Sequence, residues 1–138
     1  MSKNVMWLVI ILVIFASAFS IFINYPRDII YDKNSSVTVL LAEYNAGYDD
    51  GNVDYISISD KSDEIITTLS KYKERISFIV ANGYNLTDVE FRIILDYGDG
   101  CKEILLGNNS YSYMGVGKFK HTIVNDDNLL EELRKLIK

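Results

Sequence analysis

The stretch VEFRIILDYGDGCKEILL, from Val89 to Leu106, decides the fold that this sequence predicts. Apolar residues recur at every second position in its first half, namely Val89, Phe91, Ile93 and Leu95. A period of two places these side chains on one face of a β-strand, which we expect to run from 89 to 97. The GDG that follows favours a tight turn, because glycine adopts a positive φ without strain, and KEILL then returns as a second strand. The stretch therefore predicts an antiparallel hairpin with one buried face.

Further strands are predicted on both sides of this hairpin. On its N-terminal side, VTVLLA (37–42) and DYISIS (54–59) are rich in β-branched or alternating apolar residues, and turn-forming residues separate them. On its C-terminal side, residues 110–114 and 119–124 continue the meander around two glycines. The segment ISFIV (76–80) fits either the end of a helix or a strand, and its sequence leaves both open.

Two helices are predicted by apolar residues that recur with the helical period. One runs from 61 to 73, behind Asp60 and Ser62 as candidate N-caps, and the other runs from 127 to 137 with a stripe of leucines. The predicted order is β-β-α-β-β-β-β-α. It indicates an α+β fold in which both helices pack on one face of an antiparallel sheet.

The N-terminal segment VMWLVIILVIFASAFSIFI (5–23) contains no charged residue. As a helix it is roughly 28 Å long, about the thickness of a bilayer core. Ala16-Ser17-Ala18 resembles a signal peptidase site, but four apolar residues follow within the next five positions. We therefore expect residues 1–24 to remain as a transmembrane anchor, with secretion after cleavage following Ala18 as the alternative.

Three units follow from these patterns. After the anchor, residues 25–36 predict a polar tether, and residues 37–138 predict a single globular domain of ordinary size. We expect the basic N-terminal end with Lys3 to stay in the cytoplasm, which makes the domain extracytoplasmic. Residues 5–23 predict the bilayer itself as one partner of the chain.

Charge and cysteine content exclude some classes of protein. The net charge of -5 disfavours nucleic acid and anionic lipid headgroups as partners, because both are bound by neutralising phosphate charge with Lys and Arg. Cys101 is the single cysteine, so no intrachain disulfide can form. The folded domain must therefore be stabilised by its core.

The sequence carries no pattern that supports a catalytic, cofactor or metal site. The acidic loop 49–54 begins like an EF-hand, but it lacks the glycine and the final glutamate that calcium binding needs, so a hydrated loop is favoured. His121 is the single histidine, and an ordinary strand position is favoured over a zinc ligand. A nucleophile and base formed by Cys101 and His121 is the remaining enzymatic hypothesis.

Tyrosines are the candidate binding residues. Tyr97, Tyr111 and Tyr113 lie on predicted strands, and tyrosine offers a rigid contact area with a polar tip. They predict a binding surface for a protein or glycan, while a rim of half-buried strand tyrosines is the favoured alternative.

The layout from Asp54 onward is that of an alternating strand, a helix ending in SKYKERISF, then DVEFRIILDYGDGCKEILLGNNSYSY and a closing helix after VNDDNLLEEL. It resembles the small uncharacterised extracytoplasmic domains of Gram-positive bacteria of the DUF5301 type. The resemblance implies a bacterial cell-envelope setting and an α+β fold, with no activity or site. The anchor and the lack of a catalytic constellation favour a non-enzymatic domain that binds another envelope protein or component. An immunity-type or inhibitor protein that blocks one toxin or enzyme is the alternative.

Overall fold

The structure is a computed structural model that describes residues 2–30, 38–43, 55–56, 61–80, 89–115 and 118–137. Three helices lie in these ranges: α1 (Lys3–Asn24), α2 (Ser62–Leu69) and α3 (Asp126–Ile137). The strands in the same ranges are β1 (Arg27–Asp28), β2 (Thr38–Glu43), β3 (Tyr55–Ile56), β4 (Lys73–Val80), β5 (Val89–Asp96), β6 (Cys101–Gly107), β7 (Tyr111–Tyr113) and β8 (Phe119–Ile123). The predicted α+β class is confirmed.

Helix α1 is the predicted apolar helix. Ser2 caps its N-terminus, where the hydroxyl accepts a hydrogen bond from the backbone N–H of Val5 at 3.4 Å. The helix ends at Asn24, shortly before Pro26, which cannot donate a helical hydrogen bond. It is long and apolar enough to cross a membrane, and no part of its apolar stretch is buried inside the protein. The packing of the domain therefore leaves its sides available to lipid.

The strands form one antiparallel sheet in the order β1-β4-β8-β7-β6-β5-β2-β3. At its centre, β5 and β6 form the predicted hairpin, in which Leu95 lies opposite Lys102. The turn between them needs its glycine, because Gly98 has φ +86° and its N–H donates to the Asp96 carboxylate at 2.8 Å.

The segment from 70 to 80 differs from the predicted order. Helix α2 ends at Leu69 instead of residue 73, and tight turns follow in which the N–H of Lys71 and of Tyr72 donate to carbonyls three residues back. Lys73–Val80 is then strand β4, paired with β8 on one side and β1 on the other. The predicted β-β-α-β-β-β-β-α order lacks this strand, because the apolar residues of the segment fit both the helical and the strand period. The segment forms a strand because it pairs with a neighbour along each edge.

The start of the segment predicted as a tether belongs to the sheet and the core. Arg27–Asp28 pairs with β4, and the side chains of Asp28 and Lys73 form an ion pair across the two strands. Ile29 and Ile30 are almost completely buried. Within the described residues, the packed domain therefore begins only two residues after α1 ends.

The main core lies between one face of the sheet and helices α2 and α3, as predicted. Its buried residues come from both helices, from the central hairpin and from the segment after β1: Ile29, Ile30, Ile65, Leu69, Phe91, Ile93, Leu95, Tyr97, Ile104, Leu106, Ile123, Leu129, Leu130 and Leu133. Helix α3 follows β8 through Asn125, which adopts φ 58°, a conformation that asparagine tolerates better than most residues.

A second, smaller cluster lies on the opposite face of the sheet. Val89, Leu105 and Tyr113 are buried there, with Tyr111 packed at its edge. Val89 was predicted to share a face with Phe91, but the register of β5 and β6 shifts between these two residues, and such a bulge changes the direction of a side chain. The sheet therefore has one large helix-covered face and one face with a small apolar cluster.

Candidate functional site

The helix-covered face of the sheet carries a buried polar cluster of Glu74, Lys102, Ser112 and His121. The four residues lie on β4, β6, β7 and β8, where strand pairing places Ser112 opposite His121. The Glu74 carboxylate is at the centre: it accepts hydrogen bonds from Lys102 Nζ at 2.7 Å and Ser112 Oγ at 2.6 Å, and it lies 2.7 Å from His121 Nδ1. Lys102 Nζ also donates to the carbonyl of Ile29 at 2.7 Å.

Burial and pairing act in opposite directions on the two charged groups. Burial raises the pKa of Glu74, but the hydrogen bond with His121, the charge of Lys102 and the bonds from Lys102 and Ser112 outweigh it, so the pKa is lowered below its usual value. Burial lowers the pKa of Lys102, and Glu74 only partly opposes that shift. The side chains of the pair are 3% and 4% exposed, so water does not solvate this ion pair.

The polar cluster contains a serine, a histidine and a carboxylate, but their order differs from that of a catalytic triad. In a triad the imidazole lies between the hydroxyl and the carboxylate and takes the proton of the hydroxyl. Here the carboxylate lies in the middle, and Ser112 donates directly to Glu74. Ser112 is completely buried. The arrangement joins four strands and the segment after β1, and it does not activate a nucleophile.

The opposite face of the sheet carries an open groove next to the second cluster. Its volume is about 540 Å³, and its lining combines polar side chains of both charges with apolar ones: Ser77, Ile79, Val89, Asn108, Asn109, Ser110, Tyr111, Lys120, Thr122 and Asp126. Lys120 Nζ lies 4.0 Å from the centre of the Tyr111 ring, a cation–π contact. The groove therefore offers an aromatic surface, a cation, a carboxylate and two exposed amides at one place.

Beside the groove, a half-buried polar network fixes the neighbouring strands. Arg92 forms an ion pair with Glu103 at 2.8 Å between its Nη2 and Oε2 of the glutamate, and the side chains are 15% and 17% exposed. Tyr113 donates its hydroxyl proton to the same oxygen at 3.0 Å. This network holds Tyr113 in place by bonding its hydroxyl group.

The three predicted binding tyrosines do not form one surface. Tyr111 and Tyr113 lie on the helix-free face with ring centres 6.0 Å apart, whereas Tyr97 is 9% exposed and belongs to the main core. Tyr113 is also buried, at 2% exposure. Of the three, Tyr111 lines the groove.

Cys101 and His121 do not form a site. Cys101 is exposed at the start of β6, next in sequence to the buried Lys102, so the two side chains point to opposite faces of the sheet. His121 lies on the face of Lys102, bonded to Glu74. In the described residues no group of three or more His, Cys, Asp or Glu side chains could hold a metal ion. The acidic loop 49–54 lies outside the described residues.

The sequence singled out Tyr111 among the groove residues and His121 within the polar cluster, and it indicated none of their partners. Asn108 and Asn109 lie in the turn between β6 and β7, which brings them beside Tyr111. Lys120 alternates with His121 along β8, which is the one signal that could have placed it on the face of Tyr111. Glu74 and Lys102 lie on strands that are not neighbours in the sheet, so no local pattern relates them.

Comparison with known proteins gives no relative: no family model matches the chain, and neither a curated protein nor a solved structure matches it. The resemblance to DUF5301-type domains therefore stays a prediction.

Proposed function

We propose that this chain is a membrane-anchored, non-enzymatic binding protein of the bacterial cell envelope. In this proposal α1 spans the cell membrane, the α+β domain lies on the extracytoplasmic side, and the groove binds a segment of another envelope protein. The apolar, unburied helix supports the anchor. Lys3, at the end of α1 away from the domain, supports the orientation.

The observation that carries the binding function is the groove itself. Its lining includes the apolar side chains of Ile79 and Val89 and the ring of Tyr111, together with polar side chains such as Asn108 and Lys120. Apolar and aromatic side chains beside polar ones are the usual composition of a protein interface. The polar cluster, by contrast, is enclosed in the core, with its hydrogen-bonding groups used by one another.

A partner for this groove has a definite chemistry. Lys120 and the Tyr111 ring favour a carboxylate or an aromatic side chain, while Asp126 favours a basic one. The exposed amides of Asn108 and Asn109 can bond a peptide backbone. An extended peptide segment with mixed charge and at least one aromatic residue satisfies all of these groups.

Capture from detergent-solubilised membranes tests the binding function. The tagged full-length chain should recover a resident envelope protein, and Lys120→Glu or Tyr111→Ala should each reduce that recovery. Lys71→Glu is the matched control, since Lys71 is an exposed lysine at the end of α2 and does not line the groove. Equal recovery by all four proteins would refute the groove as the binding site. Protection of cells against one exogenous toxin, with no resident protein recovered, would favour the inhibitor alternative instead.

Protease treatment of intact cells tests the orientation. A protease added outside should remove a C-terminal tag from the domain before lysis. A tag that is protected until the cells are lysed would place the domain in the cytoplasm.

A further inference from the structure

Three apolar side chains at the end of the β4–β8 pair are exposed, and they form what we call the apolar tip: Phe78, Val80 and Phe119. Their exposed fractions are 55%, 37% and 49%. Val80 lies opposite Phe119 in the sheet, and the Phe78 ring lies against the Phe119 ring, so the three residues are neighbours across two paired strands. A contiguous group of this kind marks an interaction surface, whereas scattered exposed apolar residues do not.

The apolar tip is in direct contact with α1. The Phe78 ring lies 5.5 Å from the Phe19 ring, centre to centre, and 6.0 Å from the Phe119 ring in an edge-to-face arrangement. These three aromatic rings form a continuous row from the helix to β8. The tip is therefore fixed beside the apolar helix and follows its position in the bilayer.

The position of Phe19 gives the depth of the tip. Phe19 precedes the last helical residue, Asn24, by five positions, which corresponds to about 7.5 Å along the helix axis. Side chains of amphipathic elements that lie in the membrane interface reach about 5–10 Å into the boundary between headgroups and acyl chains. A spanning α1 would thus hold Phe78 at the depth where such side chains are found.

We propose that the apolar tip inserts into the lipid leaflet beside α1, so that the domain lies against the bilayer and does not project from it. This inference rests on the anchoring part of the proposed function. Two basic residues fit the headgroup region: Lys118 is exposed next to Phe119, and Arg27, just after α1, covers the Phe22 ring at 4.6 Å. Their local charge opposes the repulsion expected from a chain with a net charge of -5.

Tryptophan quenching in vesicles tests the proposal. The full-length chain carries one tryptophan, Trp7, in α1, so a Trp7→Phe background permits single probes at Phe119→Trp and, as a matched control, at Glu131→Trp on the exposed side of α3. The vesicles are phosphatidylcholine with lipids brominated near the headgroup end of their acyl chains. We expect quenching at 119 to exceed quenching at 131 by about twofold or more, because bromine quenches only at short range from the lipid.

Two outcomes would overturn the proposal, and a separate measurement on Trp7 tests the anchor independently. Equal quenching at 119 and 131 would show that lipid does not cover the tip. Emission at 119 that depends on protein density in the vesicle, without quenching by brominated lipid, would show that a second copy covers it. Quenching of native Trp7 by lipids brominated deep in the chain reports the anchor independently, so failure of the tip and failure of the anchor are distinguishable. Val80→Trp serves as a second tip probe if Phe119→Trp does not fold.

Discussion

Glu74 is the centre of the buried polar cluster. Its carboxylate is shared among Lys102, Ser112 and His121, and Lys102 extends the contact to the backbone of Ile29. Removing one member of a buried ion pair leaves the other charge in a medium that solvates it poorly. Removing one member therefore lowers the free energy of unfolding by more than the intact pair contributes to it.

Lys102→Met should lower the free energy of unfolding by about 3–5 kcal/mol, because it leaves the Glu74 carboxylate buried without its ammonium partner. The double variant Glu74→Met/Lys102→Met should lose less than the sum of the two single variants, since no uncompensated charge remains. Urea unfolding of the full-length chain in detergent, followed by the near-ultraviolet circular dichroism of the tyrosines, measures all four proteins. The control Lys71→Met removes a lysine that is 58% exposed and should produce no measurable change. Additive losses in the double variant would show that the pair is not coupled.

The lowered pKa of Glu74 makes stability depend on pH in the acid range. A carboxyl with a lowered pKa in the folded state binds fewer protons there than in the unfolded state, so its contribution is present above the usual value of 4.5 and is lost as pH falls through the folded pKa. The difference in urea midpoint between wild type and Glu74→Gln should therefore shrink as the pH decreases below 4.5. A difference that stays constant down to about pH 3 would contradict this assignment.

The contrast between Leu95 and Lys102 shows what the sequence can predict at this scale. The two residues lie opposite each other on the hairpin, and the buried position of Leu95 follows from the alternation of β5. The same alternation, applied to β6, gives Lys102 a buried position that its charge argues against. Its partner Glu74 is 28 residues away on a strand that the sequence leaves ambiguous. The tertiary fold alone brings the two charges together.

At the scale of elements, polar contacts from three sides fix α3 to the rest of the domain, including hydrogen bonds from Lys61 Nζ to the Leu136 carbonyl at 2.6 Å and from Lys71 Nζ to Glu132 at 3.2 Å. Tyr72, just before β4, donates its hydroxyl proton to Glu132 of α3 at 2.9 Å. Arg134 of α3 donates from Nε to Glu90 of β5 at 2.8 Å. Helix α3 is thus oriented by side chains from just before α2, from the turn between α2 and β4 and from the sheet, in addition to its buried leucines.

The pKa of Tyr72 reports this helix contact. Burial, the hydrogen bond to Glu132 and the charge of Glu132 raise it from 10.0 to about 12. Glu132→Gln should bring this pKa below 12 but not down to 10.0, because burial, the largest cause, remains. Titration by nuclear magnetic resonance of tyrosine labelled at Cζ measures it, with Glu131→Gln as the matched control on the next residue of α3. An unchanged pKa in Glu132→Gln would mean that the two side chains do not meet in solution.

Elements were predictable where one period dominates. The leucine stripe of α3 and the alternation of β5 each admit a single interpretation, and both elements form close to the predicted bounds. In 70–80, Tyr72 and Ile76 fit the helical period of α2, yet the chain turns at Leu69 and pairs with β8. Whether such a segment is a helix or a strand depends on pairing partners that are distant in sequence. Strand β1 was not predicted, because two residues are too few to show a period.

At the scale of the whole molecule, the fate of Ala16-Ser17-Ala18 separates an anchored protein from a released one. These residues lie inside α1, which continues without interruption to Asn24. We expect the protein to stay in the membrane fraction after alkaline extraction, and an Ala16→Leu/Ala18→Leu variant to be heavier than wild type only by the two substituted side chains. A mature chain that begins at Phe19, together with a larger product from the variant, would establish cleavage.

If α1 spans the membrane as proposed, its direct connection to β1 limits how far the domain can reach from the bilayer. Only Tyr25 and Pro26 separate the last residue of the helix from the first residue of the sheet, so the domain has no stalk. Two residues extend by at most about 7 Å, and a short connection of this kind confines a binding site to a thin layer above its attachment point. Under the proposed function, the effective concentration of the groove is high within that layer, and beyond it the groove cannot reach. A ligand of the groove would therefore have to come to the membrane surface, as a neighbour anchored in the same bilayer does.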